Sequence, residues 1–121
     1  KMLRSVMVKG MEALTVEWFR AAARAGVAEE VANSLDASEG GLGWAEQTAY
    51  NMERMTAHGI RRAAEMREVA KTLRGLDVAP AMTTGTISWE EEMGALDLSL
   101  DSGTPLAEQL TLIERALEKG E

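Results

Sequence analysis

Two groups of polar residues have the types and spacing that catalysis or binding needs. Lys1, Ser5 and Lys9 repeat every four residues, so they would share one face of a helix. A lysine ammonium beside a hydroxyl could polarise a substrate oxygen, and it could exchange a proton with that oxygen if burial lowered its pKa. The same spacing also fits an ordinary polar helix face, so both interpretations stay open at this point.

The second group contains His58, Arg61, Arg62, Glu65 and Met66. Its two arginines could grip a carboxylate or a phosphate through paired hydrogen bonds. The alternative is a solvated helix face on which Arg and Glu pair at a spacing of four residues. His58, Arg61 and Arg62 are therefore candidate substrate contacts.

Other kinds of catalytic site lack the residues that they need. The chain has one histidine and no cysteine, and it contains neither a phosphate-binding loop nor a Gly-x-Gly-x-x-Gly turn. Glu90, Glu91 and Glu92 are consecutive, so they should fan around the solvated first turn of a helix instead of converging on a metal. We expect no metal site and no complete active site in these residues.

The spacing of apolar residues predicts helices throughout, and 121 residues fit a single domain. The first helix is predicted from Met2 to Ala25. Its breadth of apolar surface suggests a central position in the bundle. We expect its main stripe to be buried, namely Leu3, Met7, Leu14 and Trp18.

A short helix is predicted over residues 28–35, followed by a glycine-rich loop over 36–43. Residues 44–74 keep helical spacing and contain no proline, but Gly59 lies in the middle and weakens a helix by about 1 kcal/mol relative to alanine. The segment is therefore read as two helices, or as one helix broken near His58 and Gly59.

The remaining helix boundaries rest on capping residues. Residues 75–80 are read as a turn, and a short helix beginning near residues 79–82 is possible but poorly marked. Ser88 and Glu91 have capping-box spacing, which predicts a helix beginning at Trp89. Thr104 and Pro105 predict the start of a final helix that ends near Gly120. The sequence thus predicts an all-α domain of five to seven helices.

The net charge of −7 is carried by the C-terminal part of the chain. Residues 88–121 hold nine acidic and two basic side chains, whereas residues 1–87 hold eleven of each. Such a tail repels a phosphate backbone, so nucleic-acid binding is not expected. No apolar run is long enough to cross a bilayer, no secretory signal is visible, and the first residue is Lys1, so we expect a processed start and a cytoplasmic location.

Several short motifs resemble one family when they are taken in order along the chain. They are an opening Lys-Met-x-x-Ser-x-x-x-Lys-Gly (Lys1 to Gly10), an Ala-Gly-Val turn (Ala25 to Val27) and a His-x-x-Arg-Arg-x-x-Glu-Met segment (His58 to Met66). This order resembles the helical C-terminal domain of the β-hydroxyacid dehydrogenase superfamily, of the 6-phosphogluconate dehydrogenase-like kind. The similarity is to the branch that bears the domain of unknown function numbered 1932. It covers residues 1–87, and the acidic tail 88–121 lies outside it.

The resemblance implies an NAD- or NADP-dependent oxidoreductase acting on a small hydroxy acid. Lys1 would be the acid-base residue, and Ser5 stands where the wider superfamily usually has a substrate-binding asparagine. The resemblance also implies a Rossmann domain elsewhere in the parent enzyme and a homodimer. A nicotinamide needs a glycine-rich turn that these residues lack, so we expect the isolated chain to bind no cofactor and to be inactive.

Two other functions compete with this interpretation. One is a helical interaction or dimerisation module without catalysis. The other is half of an enzyme similar to imine reductases, which would reduce a C=N bond on the same helical scaffold. The sequence alone leaves all three open.

Overall fold

The computed structural model of the chain describes residues 2–38, 43–101 and 103–119. These residues form five helices and contain no strand, which confirms the predicted all-α bundle. In chain order the helices are α1 (Met2–Arg24), α2 (Ala28–Ser38), α3 (Trp44–Gly75), α4 (Ala81–Gly94) and α5 (Leu106–Lys119).

The long helix α3 forms the centre of the bundle, with α1 and α4 packed along it and α5 across its first half. Helix α1 runs antiparallel to α3, since Met2 contacts Thr72 and Glu12 contacts Arg62. Helix α4 is also antiparallel to α3, because Glu91 pairs with Arg67 whereas Gly94, further along α4, meets Gly59, which lies earlier in α3. The three helices therefore enclose one continuous inner surface.

Two apolar clusters fill the bundle. The larger lies where α1, α3, α4 and α5 meet and contains Val16, Phe19, Met52, Met55, Met93, Leu100 and Ile113. The smaller lies towards the N-terminus of α1, where Val6 and Ile87 pack on Met66, Val69 and Leu73 of α3. Burial of such side chains, worth roughly 1.5–3 kcal/mol each, holds the helices together.

Helix α3 is not broken at Gly59, so that prediction is wrong. The glycine serves helix packing: a Cβ built on Gly59 would lie 2.7 Å from the backbone nitrogen of Gly94 and would overlap the carbonyl oxygen of Glu90. Only a residue without a side chain allows α3 and α4 to approach this closely. Glycine lowers the helix propensity of α3 at this position, but it allows the backbones of α3 and α4 to touch.

The predicted burial of α1 is reversed. Leu3, Met7 and Leu14 are at least half exposed and Trp18 is half-buried, whereas the opposite face of α1 is buried, with Glu12, Ala13, Thr15, Val16, Phe19 and Ala22. The helix has apolar residues on two faces. An apolar stripe indicates that a surface needs a partner, but it does not say which partner.

Helix α4 begins at Ala81, within the range 79–82 predicted for a short helix, and it continues through Ser88. The separate start predicted at Trp89 is therefore wrong. Helix α2 extends to Ser38, three residues beyond its predicted end. Most of the predicted glycine-rich loop, residues 39–42, lies outside the described residues. The final helix is confirmed, beginning at Leu106 directly after Pro105.

Candidate functional site

The inner face of α1 is polar over its first four turns. Ser5 and Lys9 are half-buried, and Glu12 and Thr15 are buried. They lie on one side of the helix because their spacing is three or four residues. Helices α3 and α4 meet this side with buried polar residues of their own, namely Thr48, Asn51, Arg62, Thr83, Thr86 and Glu90. We call this inner surface the polar seam.

A buried ion pair lies in the middle of the polar seam. One Arg62 nitrogen donates hydrogen bonds to both carboxylate oxygens of Glu12, at 2.6 and 2.5 Å. Both side chains are more than nine-tenths buried. Removing either partner would leave an uncompensated buried charge, which typically costs about 3–5 kcal/mol.

Glu90 of α4 adds a second carboxyl group to the same place. Its side chain is fully buried, and neither of its oxygens accepts a hydrogen bond from a donor in the described residues. The pKa of Glu90 is raised to about 9, first by burial and then by the neighbouring Glu12 carboxyl, against the opposing positive charges of Arg62 and Lys9. Glu90 is therefore protonated at neutral pH, and the expected solvated position for this residue is wrong.

The far end of the polar seam is a hydrogen-bonded chain of uncharged groups. Asn51 donates from its amide nitrogen to the Thr15 hydroxyl at 3.0 Å and accepts from Gln47 at 3.1 Å. The Thr15 hydroxyl donates to the Glu12 carbonyl at 2.8 Å. These bonds fix how α1 is rotated against α3, and so they fix the direction in which Ser5 and Lys9 point.

Among the described residues, the candidate substrate-binding residues do not converge on one point. Lys1 lies outside the described residues. Ser5 lies near the N-terminal end of α1, which meets the end of α3, whereas His58 lies more than one helical turn past the Arg62 contact with Glu12. At 1.5 Å per residue, Ser5 and His58 are separated by about 15 Å along the bundle.

The histidine and arginine candidates have different surroundings. Arg61 is exposed and pairs with Glu65 at 3.1 Å, as the solvated-face interpretation predicted, and Arg62 is engaged by Glu12. Desolvation, followed by the charges of Arg54, Arg61 and Arg62, lowers the pKa of His58 below its ordinary value, against a smaller opposing effect of Glu53. At neutral pH the imidazole is therefore largely uncharged, able to donate or accept a hydrogen bond.

An apolar groove runs between α1 and α4 on the outside of the bundle. Its volume is about 440 Å³, and Val6, Met7, Gly10, Met11, Leu14, Met82, Gly85 and Trp89 are among its lining residues. The Trp89 ring nitrogen donates to Glu17 at 3.1 Å at one end. The exposed stripe of α1 forms one wall, so groove and stripe are one continuous apolar surface, which we call the α1–α4 face.

The sequence contained weak signals for the features that we missed. Thr83, Thr86 and Glu90 recur at intervals of three and four residues, which would have placed Glu90 on the same face as two small polar residues. Gly59 is an interior glycine of α3, and a glycine inside an otherwise good helix often has a packing reason. We missed the spacing of Thr83, Thr86 and Glu90 because the three consecutive acids Glu90 to Glu92 resemble a solvated turn.

Two classes of site have no support in the described residues. No group of three or more His, Cys, Asp or Glu side chains in residues 2–38, 43–101 and 103–119 could hold a metal ion. No helix in this part of the chain is both long and apolar enough to span a membrane.

Comparison with known families and structures connects this geometry to a known group of proteins. A family model described as "Domain of unknown function (DUF1932)" matches residues 22–93, more than half of the chain. The chain belongs to the DUF1932 family. DUF1932 is the helical C-terminal domain of a dehydrogenase-like family, which confirms the resemblance seen in the motifs.

The DUF1932 domain also matches a solved structure over nearly its whole length. The crystal structure is described as that of a conserved hypothetical protein from Sinorhizobium meliloti 1021, and it is 32% identical to this chain with a TM-score of 0.84. The match covers 95% of this chain and 39% of that one. This chain thus spans well under half of the solved protein, and the fold similarity includes the acidic tail. No curated protein matches the chain.

Proposed function

We propose that this DUF1932 domain is the substrate-binding and dimerisation half of an NAD- or NADP-dependent oxidoreductase that acts on a small hydroxy acid. The single observation that carries the proposal is the family match over residues 22–93. The solved structure supports it, because 61% of that protein lies outside the matched part. That is room for a separate nucleotide-binding domain.

In this proposal the substrate binds at the N-terminal end of α1. Lys1 exchanges a proton with the substrate oxygen, and Ser5, one turn further on, orients that oxygen. The polar seam supports this role because Glu12, Thr15 and Asn51 anchor the inner face of α1 on which Ser5 lies. His58 and Arg61 lie further along the bundle, so any contact they make with substrate needs a part of the protein beyond this domain.

The nicotinamide cofactor would be held by the other domain of the parent enzyme. It supplies the hydride acceptor or donor, and its pyrophosphate needs a glycine-rich turn at a helix N-terminus. The sequence contains no Gly-x-Gly-x-x-Gly pattern; the glycine-rich loop before α3 has Glu46 where the third glycine would stand. The contribution of this chain is to bind the substrate, to move its proton and to close the cleft against water.

Calorimetric titration tests whether the cofactor binds outside this domain. The isolated chain is expected to bind neither NAD nor NADP, and the full-length protein is expected to bind one of them with a dissociation constant in the micromolar range. Micromolar binding to the isolated chain would contradict the proposal, because a cofactor site would then lie within these residues. Absence of binding to the full-length protein would contradict it as well.

The second part of the proposal is that two copies pair through the α1–α4 face. Leu3, Met7 and Leu14 are 54%, 66% and 50% exposed, and Met82 across the groove is 73% exposed. Contiguous exposed apolar side chains rimmed by polar residues often mark protein–protein interfaces. Gly10 and Gly85 line the groove and have no side chains to fill it, so side chains of a second copy can enter.

Charge substitutions on this face should separate the two copies. Met7→Glu with Leu14→Glu is expected to convert a dimer into a monomer at micromolar concentration, since each buried charge costs several kcal/mol. Ile60→Glu is the matched control, because Ile60 is equally exposed, at 55%, but lies on α3. Sedimentation equilibrium measures the outcome. A monomeric parent chain, or equal dissociation in the control, would contradict the assignment of this face.

A further inference from the structure

Glu90 occupies a position that is unusual for a carboxyl group. It lies where α4 packs against both α1 and α3, with none of its side chain exposed, and no donor among the described residues hydrogen-bonds to either oxygen. The group within hydrogen-bond reach is the Glu12 carboxyl, which accepts a hydrogen bond only if Glu90 carries a proton. A buried and unpartnered carboxylate would be one of the most expensive groups in a protein interior. The group must therefore be uncharged or be neutralised by a neighbour.

The neighbours of Glu90 cannot neutralise it. Arg62 on α3 already donates to both oxygens of Glu12 on α1, so two carboxyl groups share one guanidinium. Lys9 on α1 is the other cation that acts on Glu90, and it is only half-buried. Helices α1 and α3 are the main elements packed against α4, so these three side chains are the charged groups that face Glu90.

The backbone gives the site little freedom to rearrange. The carbonyl oxygen of Glu90 contacts Gly59, and Gly94, one turn on, contacts the same glycine. Because the two backbones already touch, α4 cannot move closer to α3 to form a new hydrogen bond. Water or a counter-charge can reach Glu90 only if α4 moves away from α1 and α3.

We propose that Glu12, Arg62 and Glu90 form a buried proton-binding site that takes up one proton when α4 docks, and so links the docking of α4 to pH. The proton is held on the Glu90 carboxyl group, which leaves Glu12 and Arg62 as a neutral ion pair. Loss of the proton leaves one net negative charge in the interior. This inference goes beyond the proposed function and does not depend on it.

The sign of the pH dependence follows from the direction of the pKa shift. The pKa of Glu90 is raised from 4.5 to about 9, so between these values the folded chain holds a proton that the unfolded chain has released. The contribution of Glu90 to the free energy of unfolding is therefore greatest below pH 4.5, falls as the pH rises from 4.5 to about 9, and levels off above about 9. The unfolding equilibrium constant should rise by up to about tenfold for each pH unit.

Urea unfolding of the chain at several pH values tests the site. The unfolding constant of the wild-type chain is expected to rise by several-fold per unit between about pH 6 and about pH 9. Glu90→Gln, which carries no titratable proton, should remove most of this rise and be the more stable variant near pH 8. Glu91→Gln is the matched control: Glu91 is the next residue and is exposed, so the rise should remain.

The wild-type chain provides an independent measurement should Glu90→Gln fail to fold. Its Glu90 carboxyl carbon, followed by NMR, is expected to titrate several pH units above the carbons of Glu91 and Glu92. Titration of Glu90 near 4.5, the ordinary value, would overturn the proposal. An unchanged pH dependence in a folded Glu90→Gln variant would overturn it equally.

Discussion

Replacing Lys1 by methionine in the full-length protein is expected to lower turnover by roughly 10² to 10⁴, the range typical of a lost general acid or base. Methionine keeps the length of the side chain and removes its charge and its protons. Nucleotide affinity should stay nearly unchanged, because our proposal places the cofactor in a different domain. Steady-state kinetics and calorimetric titration measure the two effects separately.

Two further variants show whether the loss belongs to Lys1 itself. Lys9→Met removes the other lysine of the same helical face and should leave turnover within a few-fold. Ser5→Ala should cost less than Lys1→Met, because a single neutral hydrogen bond is worth about 1 kcal/mol and water can partly replace it. If Lys1→Met keeps turnover within a few-fold, Lys1 belongs to an ordinary polar helix face.

Gly59→Ala is expected to destabilise the isolated chain by about 3 kcal/mol, the upper part of the range for overpacked interiors. A flexible side chain can move away from a new methyl group. Here the atoms in the way are the backbone of Glu90 and Gly94, so α3 and α4 must separate along their length. Urea unfolding measures the change as a shift of the midpoint at constant slope.

Gly75→Ala is the matched control for this substitution. It also replaces a glycine of α3, but a Cβ at Gly75 meets nothing within 4 Å, and Gly75 lies outside the α1–α4 face. Alanine should therefore raise the stability by up to about 0.5–1 kcal/mol through helix propensity. Equal and small effects of both variants would contradict the close packing of α3 against α4.

The sequence was sufficient for features that depend on local signals. Thr104, Pro105 and the regular leucines that follow predicted α5 correctly, because caps and periodicity act within one helix. The glycine after α1 marks its end for the same reason: Gly26 has a positive φ of 77°, which favours glycine. The family resemblance also rested on short motifs at fixed spacing, and the family match confirms it.

The sequence was insufficient where a residue's role depends on a distant neighbour. The periodicity of α1 identified an apolar stripe with Leu3, Met7 and Leu14, but the described chain covers the opposite face. Gly59 was read as a break because its packing partner, Gly94, lies 35 residues further along the sequence. Glu90 was read as solvated because the fold that buries it is formed by α1 and α3.

Only part of the candidate site could be predicted from the sequence, for the same reason. Spacing placed Ser5 and Lys9 on one face correctly, since this follows from helix geometry. Arg62 was taken as a substrate contact because a guanidinium suits an anionic ligand, yet its anion is Glu12 of the same chain. Whether an arginine binds a ligand or an internal carboxylate depends on tertiary packing.

The most direct test of the central claim is hydride transfer by the full-length protein. The protein is incubated with NAD or NADP and a series of small 2- and 3-hydroxy acids deuterated at the carbinol carbon, and the nucleotide is analysed by mass spectrometry. With the full-length protein, deuterium is expected in the reduced nucleotide. With the isolated chain none is expected, and with the Lys1→Met variant only a small residual amount. Deuterium transfer that the Lys1→Met variant retains in full would contradict the role of Lys1. Absence of transfer from every hydroxy acid, with turnover of cyclic imines instead, would contradict the proposed dehydrogenase activity.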